Sequence, residues 1–222
     1  MPERTARPRF QRARREAEKA VRRASILAAA GSVLRAAGFE GFSMSLLAKK
    51  TGLAKATLYV YFETREEVLL ALYVETLAAW SRELTAGLRE GMDDGEFAAL
   101  FQTTAKTDPN FLTLRARLES VIEHNVSLDR LVEAKRAMRD LVGDLAPGVE
   151  RALELAPGSG GRLLVSLGAL LLGVEQWSAG PAATDLDLPE DVAEFMRLHT
   201  DADLFRDNAL LIVAGFRRAA VA

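Results

Sequence analysis

The sequence predicts an all-α chain in two parts: an N-terminal three-helix unit containing a helix-turn-helix, and a larger helical body. Apolar residues recur at three- and four-residue spacing along most of the chain, and no segment keeps the two-residue alternation of a strand. Glycine marks several of the boundaries, at Gly38, Gly52 and Gly91–Gly95. With 222 residues, 49% of them hydrophobic, the chain can bury a small domain and a second one of about 150 residues.

The elements follow in order. Residues 1–22 form a basic arm, and residues 2–23 hold nine Arg and Lys. Its Pro-flanked start, through Pro8, is expected to be mobile, with helix-favouring composition from about Phe10. The domain at 23–70 opens with a helix burying Ile26, Leu27, Ala30 and Leu34 and stopping at Gly38. A short helix with Leu47 and Ala48 inside meets a turn at Gly52, and a third helix presents Leu58 and Phe62, four residues apart, to the same core. Thr64 and Glu67 have capping-box spacing and open a long helix from Arg65 to about Glu90. Its apolar stripe runs from Val68 and Leu69 through Leu77, Trp80 and Leu84 to Leu88, and Gly91–Gly95 breaks it.

Further helices are expected at about 96–106, 109–125, 128–154 (bent at Pro147), 160–179 and 203–220, completing a C-terminal domain at 71–222. The link from Gly180 to Asp203 contains Pro181 and Pro189 and a short helix near 190–198. It is too long for passive spacing, so it is expected to cover the bundle or to cross to a partner subunit. The helix at 160–179 is apolar nearly all round and must be covered on every side. Gly168, Ala169 and Gly173 leave room there for close backbone approach.

Two short helices joined by a Gly-containing turn make a helix-turn-helix, whose second helix docks in a major groove. The outward residues of that helix are a cation, small groups and hydroxyls, the types that meet phosphates and base edges. Lys55, Tyr59, Tyr61 and Arg65 are the candidates for phosphate contacts. Ala56, Thr57 and Val60 are expected to face base edges, and Ser43 and Ser45 complete the set from the preceding helix. Arg65 lies in the first turn of its helix, where a cation opposes the helix dipole unless a phosphate sits there.

The runs Gly52-Leu53-Ala54-Lys55-Ala56-Thr57-Leu58-Tyr59-Val60-Tyr61-Phe62 and Thr64-Arg65-Glu66-Glu67-Val68-Leu69 resemble the DNA-binding domain of the TetR family of transcriptional regulators. Ile26–Ala30 and Gly38–Met44 are similar to that family's first helix and its entry into the second, so the likeness covers about residues 23–72. It implies an all-α homodimer reading a palindromic operator in double-stranded DNA, through a helix-turn-helix domain. It also implies a C-terminal helical domain that dimerises and binds a small-molecule effector releasing the DNA, a repressor being the expected mode. The family's dimer interface implies pairing through the helices at about 160–179 and 203–220. Two departures stand out: Ala54 replaces a small hydroxyl cap, and Ser45 replaces a basic residue.

The net charge of −2 hides a polarised chain: residues 1–65 carry 14 Lys and Arg against five Asp and Glu, and residues 66–222 carry 15 against 26. A positive head on a negative body orients the molecule in the field of DNA. A basic arm before a helix-turn-helix is expected to follow phosphates or enter a minor groove. With no cysteine there is no disulfide or thiolate metal site. No signal-peptide pattern is present, and the longest apolar run, Leu163–Val174, is shorter than the roughly 20 residues of a membrane helix. A soluble, cytoplasmic protein without membrane association or cofactor is expected. Two histidines, no Glu-x-x-His motif and no phosphate-binding loop give an enzyme little support.

For the effector, polar residues ending apolar helices are the candidates: Glu123, His124 and Asn125, and Glu175, Gln176 and Trp177. Phe97, Phe101, Phe111 and Met138 read as core. The expected mechanism is a ligand that wedges the body helices, tilts the helix at 65–90 and alters the spacing of the paired heads. The alternative is an all-α dimer that binds DNA constitutively as an architectural protein, without an effector.

Overall fold

The computed structural model describes residues 6–178, 187–199, 201 and 203–219. Ten α-helices run through them, with no strand among the described residues. Residues 180–186, 200 and 202 of the link from Gly180 to Asp203 lie outside the described residues, as does the arm's start at residues 1–5.

Helix α1, Ala6–Gly41, is one continuous run except at Gly38, whose φ of 69° and ψ of 174° break the helical path. The first helix thus turns where the sequence expects it to stop, because only glycine takes that conformation without strain. Its start differs from expectation: Pro8 lies inside the first turn, where a missing N–H costs nothing. Residues 14–25 are exposed all round, and burial on this stretch begins at Ile26.

Helix α2, Met44–Thr51, ends in the left-handed Gly52, and α3, Lys55–Tyr59, follows. Ile26, Leu27, Ala30 and Leu34 of α1 close on Leu47, Leu58 and Phe62, all buried. Helix α4, Arg65–Gly87, leaves this head and runs into the body. Its N-cap is Thr64, whose hydroxyl accepts from the Glu67 amide at 3.0 Å. The second half of the expected capping box is shifted, since the Glu67 carboxylate accepts from the Glu63 amide instead.

The body adds α5, Asp94–Thr107; α6, Pro109–Arg115; α7, Leu128–Leu153; α8, Gly160–Ser178; α9, Glu190–His199; and α10, Leu204–Ala219. Helix α7 passes through Pro147 without interruption. The helix expected at 109–125 is broken. It stops at Arg115, and residues 118–122 form a wide π-turn followed by a 3₁₀ turn at Glu123–Asn125. At the break Arg117, with φ −111° and ψ 0°, lies 5.9 Å over the Phe39 ring and pairs with Glu40 at the end of α1. Helix α8 is covered on one side only. Leu163, Leu164, Leu167, Leu171 and Val174 are buried, but Val165 stays 66% exposed.

Candidate nucleic-acid interface and small-molecule cavity

Helix α3 is short and held from behind by Leu58 and Phe62, which leaves its other face open. Lys55 and Ala56 are exposed, Tyr59 is 44% and Val60 71% exposed, and Thr57 and Tyr61 are half-buried. The Lys55 ammonium lies 6.0 Å from the Tyr59 ring centre. Ala54 takes the extended N-cap conformation but offers no side-chain hydrogen bond. Ser43 caps α2, accepting from the Leu46 amide at 3.3 Å, so its hydroxyl already has a structural task, while Ser45 is exposed in the next turn. Lys49 and Lys50, exposed at the end of α2, add two cations that the sequence reading passed over.

Arg65 is not held outward as a free cation. It donates to the Phe39 carbonyl at 2.6 Å and lies 5.0 Å over the Phe39 ring, fastening α4 to the end of α1. Five other contacts tie head to body. The buried Asn110, 2% exposed, donates to the Gly31 carbonyl at 3.2 Å. Thr64 donates to the Asn125 carbonyl at 3.3 Å, and Arg35 and Arg117 pair with Asp108 and Glu40. The buried Glu67 pairs with Arg130 of α7 at 2.8 Å. Arg130 holds its proton more tightly than usual, chiefly through its hydrogen bond to Glu133.

A cavity of about 190 Å³ opens inside the body. Helix α4 supplies Tyr73, Leu77 and Trp80, at spacings of four and three that set them on one face. Phe101 comes from α5, and Phe111, Leu112 and Arg115 from α6. Leu118 and Glu119 of the π-turn, Lys135, Met138 and Val142 of α7, and Leu164, Val165, Gly168 and Leu171 of α8 close it. The rings are ordered against one another: Trp80 stacks on Phe111 at 5.5 Å and meets Phe101 edge-on at 5.3 Å. The Trp80 indole N–H is buried with no hydrogen-bond partner among the described residues. Burial pushes the Tyr73 phenol up to about 12, with nearby Arg115 opposing and Glu119 and Glu123 adding to the shift.

None of the six polar residues proposed from sequence as effector contacts lines this cavity. Glu123 pairs with Lys135 at 2.5 Å, and Asn125 donates to the Val121 carbonyl at 2.7 Å, the ordinary work of a helix end. Glu175 pairs with Lys106 at 2.7 Å, while His124, Gln176 and Trp177 are exposed. Phe101, Phe111 and Met138, read from sequence as core, line it instead; Phe97 is core. In sequence, a wall residue and a core residue look alike, because both sit on the inner stripe of their helix.

Residues 26–72 match the family model of bacterial regulatory proteins of the tetR family, and residues 74–220 match that of the tetracyclin repressor-like C-terminal domain. The fold is similar to that of a putative tetR family regulator from Shewanella sp. PV-4, with TM-score 0.52 and 17% identity over 89% of this chain and 96% of that one. A transcriptional regulator from Rhodococcus sp. RHA1 gives TM-score 0.55 and 15% identity over 90% and 98%, and E. coli NemR in its reduced form gives 0.51 and 22% over 87% and 96%. The fatty acid metabolism regulator protein of Bacillus subtilis (strain 168) is 29% identical over 75 residues, which is 34% of this chain and 39% of that protein's length. No helix among the described residues is long and apolar enough to cross a membrane. With both family models matched in order and an all-helical fold to go with them, the chain belongs to the TetR family of DNA-binding transcriptional regulators.

Proposed function

We propose that this regulator binds a palindromic operator as a homodimer and lets go when a small molecule enters the body cavity. The observation that carries the reading is the open face of α3, where Lys55, Ala56, Tyr59 and Val60 stand outward on a firmly packed head. Lys55, Tyr59 and Tyr61 contact phosphates, while Thr57 hydrogen-bonds a base edge and Ala56 and Val60 pack on thymine methyls. Ser43 and Ser45 approach the backbone from α2, and Arg65 contributes by fixing the head as much as by its charge. The exposed basic residues from Arg14 to Arg23 of α1 follow the phosphates beside the operator. The units act as an arm at 1–22, a reading head at 23–70 and an effector and dimer body at 71–222.

Pairing is proposed through α8 and α10. Leu211 on α10 is 70% exposed, and at Gly173 of α8 and Gly215 of α10 an added Cβ would meet open space. Such a face accepts a second copy closely, and two reading heads must reach major grooves roughly 34–36 Å apart. For coupling, the cavity shares α4 and α6 with the head contacts. Tyr73 and Trp80 lie on the helix that starts at Thr64, and Phe111 adjoins Asn110, which holds Gly31. A ligand that shifts α6 or α4 therefore moves the head. The Bacillus subtilis match covers too short a stretch to carry that protein's effector over.

Selection of sites from a random duplex pool tests the reading. The expected winner is two-fold symmetric, with affinity falling steeply as salt rises. In Lys55→Ala, affinity falls for all sequences alike and the salt slope drops by about one. Salt-sensitive binding to any duplex, without an enriched sequence, would point to an architectural protein instead.

A further inference from the structure

The cavity also specifies what can fill it, an inference that rests on the effector reading above. At about 190 Å³ it is smaller than the roughly 300–1,000 Å³ usual for drug-sized ligands, yet larger than the roughly 150 Å³ that admits benzene. Tyr73, Trp80, Phe101 and Phe111 form one wall, with stacked and edge-on contacts already in place. A planar ring extends that arrangement, whereas a long flexible chain has neither the length nor the shape to fit.

The polar groups are gathered at one end. Arg115 and Glu119 line the cavity beside the break after α6, and Lys135 faces them from α7. Both cations that line the space are already paired, Arg115 with Glu119 and Lys135 with Glu123, so a carboxylate is received by their remaining donors and not by an excess of positive charge. The guanidinium of Arg115 has five donors, so its pairing with Glu119 leaves some for a second carboxylate. The Tyr73 hydroxyl keeps its proton through the physiological range and is a further donor near these charges.

We propose that the effector is a compact aromatic carboxylate, of benzoate to phenylacetate size, with its ring on the Trp80–Phe111 wall and its carboxylate at Arg115 and Lys135. It differs in kind from a long-chain acyl ligand, which is larger than the cavity as it stands. The carboxylate also engages the segment that ends at Asn125, so occupancy bears on the Thr64 contact that fixes the start of α4.

The chain has two tryptophans, so Trp177→Phe leaves Trp80, in the cavity wall, as the sole indole emitter. Titration of that variant with phenylacetate is expected to give a saturable change in emission. Calorimetry on the unaltered chain gives the same dissociation constant. Arg115→Gln weakens phenylacetate on the order of tenfold or more and leaves its methyl ester unchanged, as loss of a charged hydrogen bond should. Octanoate or stearoyl-CoA binding as tightly as phenylacetate would overturn the aromatic assignment, and a methyl ester as tight as the acid would overturn the carboxylate. Absence of saturable binding in calorimetry would overturn both. Operator release by another class of compound that saturates the Trp80 signal would sink this proposal but leave the effector-responsive reading standing. Phenylacetate that fills the cavity without changing DNA affinity would sink the two together.

Discussion

The head and the body are built from the same kind of amphipathic helix but packed to different standards. In the head, Ile26, Leu27, Leu47, Leu58 and Phe62 are all buried in one small core, and polar function stands outside on α3. In the body, the same kind of apolar stripe on α4 to α8 meets imperfectly and leaves a cavity walled by aromatic rings. A reading head needs a fixed surface, because a misplaced helix loses its register on the groove. A responsive body needs room and a neighbour that can move.

The comparison breaks most directly at the head's centre. Leu58→Ala removes a fully buried side chain and is expected to cost about 2–5 kcal/mol in denaturant unfolding, with operator binding lost. Smaller in energy, and sharper about coupling, is Asn110→Ala. Loss of its bond to the Gly31 carbonyl is expected to cost about 1 kcal/mol. The ratio of DNA affinities without and with effector should fall toward one, measured by fluorescence anisotropy; an unchanged ratio would mean that coupling runs through α4 alone. Ala54→Ser supplies the missing cap of α3 and should raise stability by roughly 0.5–2 kcal/mol, with slower amide exchange at Thr57.

The smallest effect concerns pH. Tyr73 ionises at about 12 in the folded chain against 10 unfolded, so its contribution to stability is intact below pH 10 and lost as pH rises toward 12. Tyr73→Phe should remove that alkaline component from an absorbance titration while leaving stability at neutral pH nearly unchanged.

The helices of the head were legible because their signals are local. Gly38 and Gly52 turn the chain where glycine alone is at ease, and the four-residue spacing of Leu58 and Phe62 names the inner face without knowledge of the partner. Capping was legible in part: Thr64 caps α4 as its spacing predicts, but Glu67 reaches Glu63 and Arg130 instead of closing the box. The break after Arg115 was not legible: the apolar spacing runs on through it, and the contacts Arg117 makes there are with Phe39 and Glu40 of a distant helix.

The sequence by itself determined the all-helical class, the reading motif, the polarised charge and the family, since each rests on residue type and short spacing. Tertiary structure alone decided which inner-facing residues surround empty space and which are core. It also decided that Arg65 clasps Phe39, that Asn110 holds Gly31, and that Glu123 and Glu175 serve ion pairs. The physical reason is that a cavity belongs to no single helix: it is the mismatch left where five helices and a π-turn converge, and periodicity along one helix carries no record of how well the others fill it.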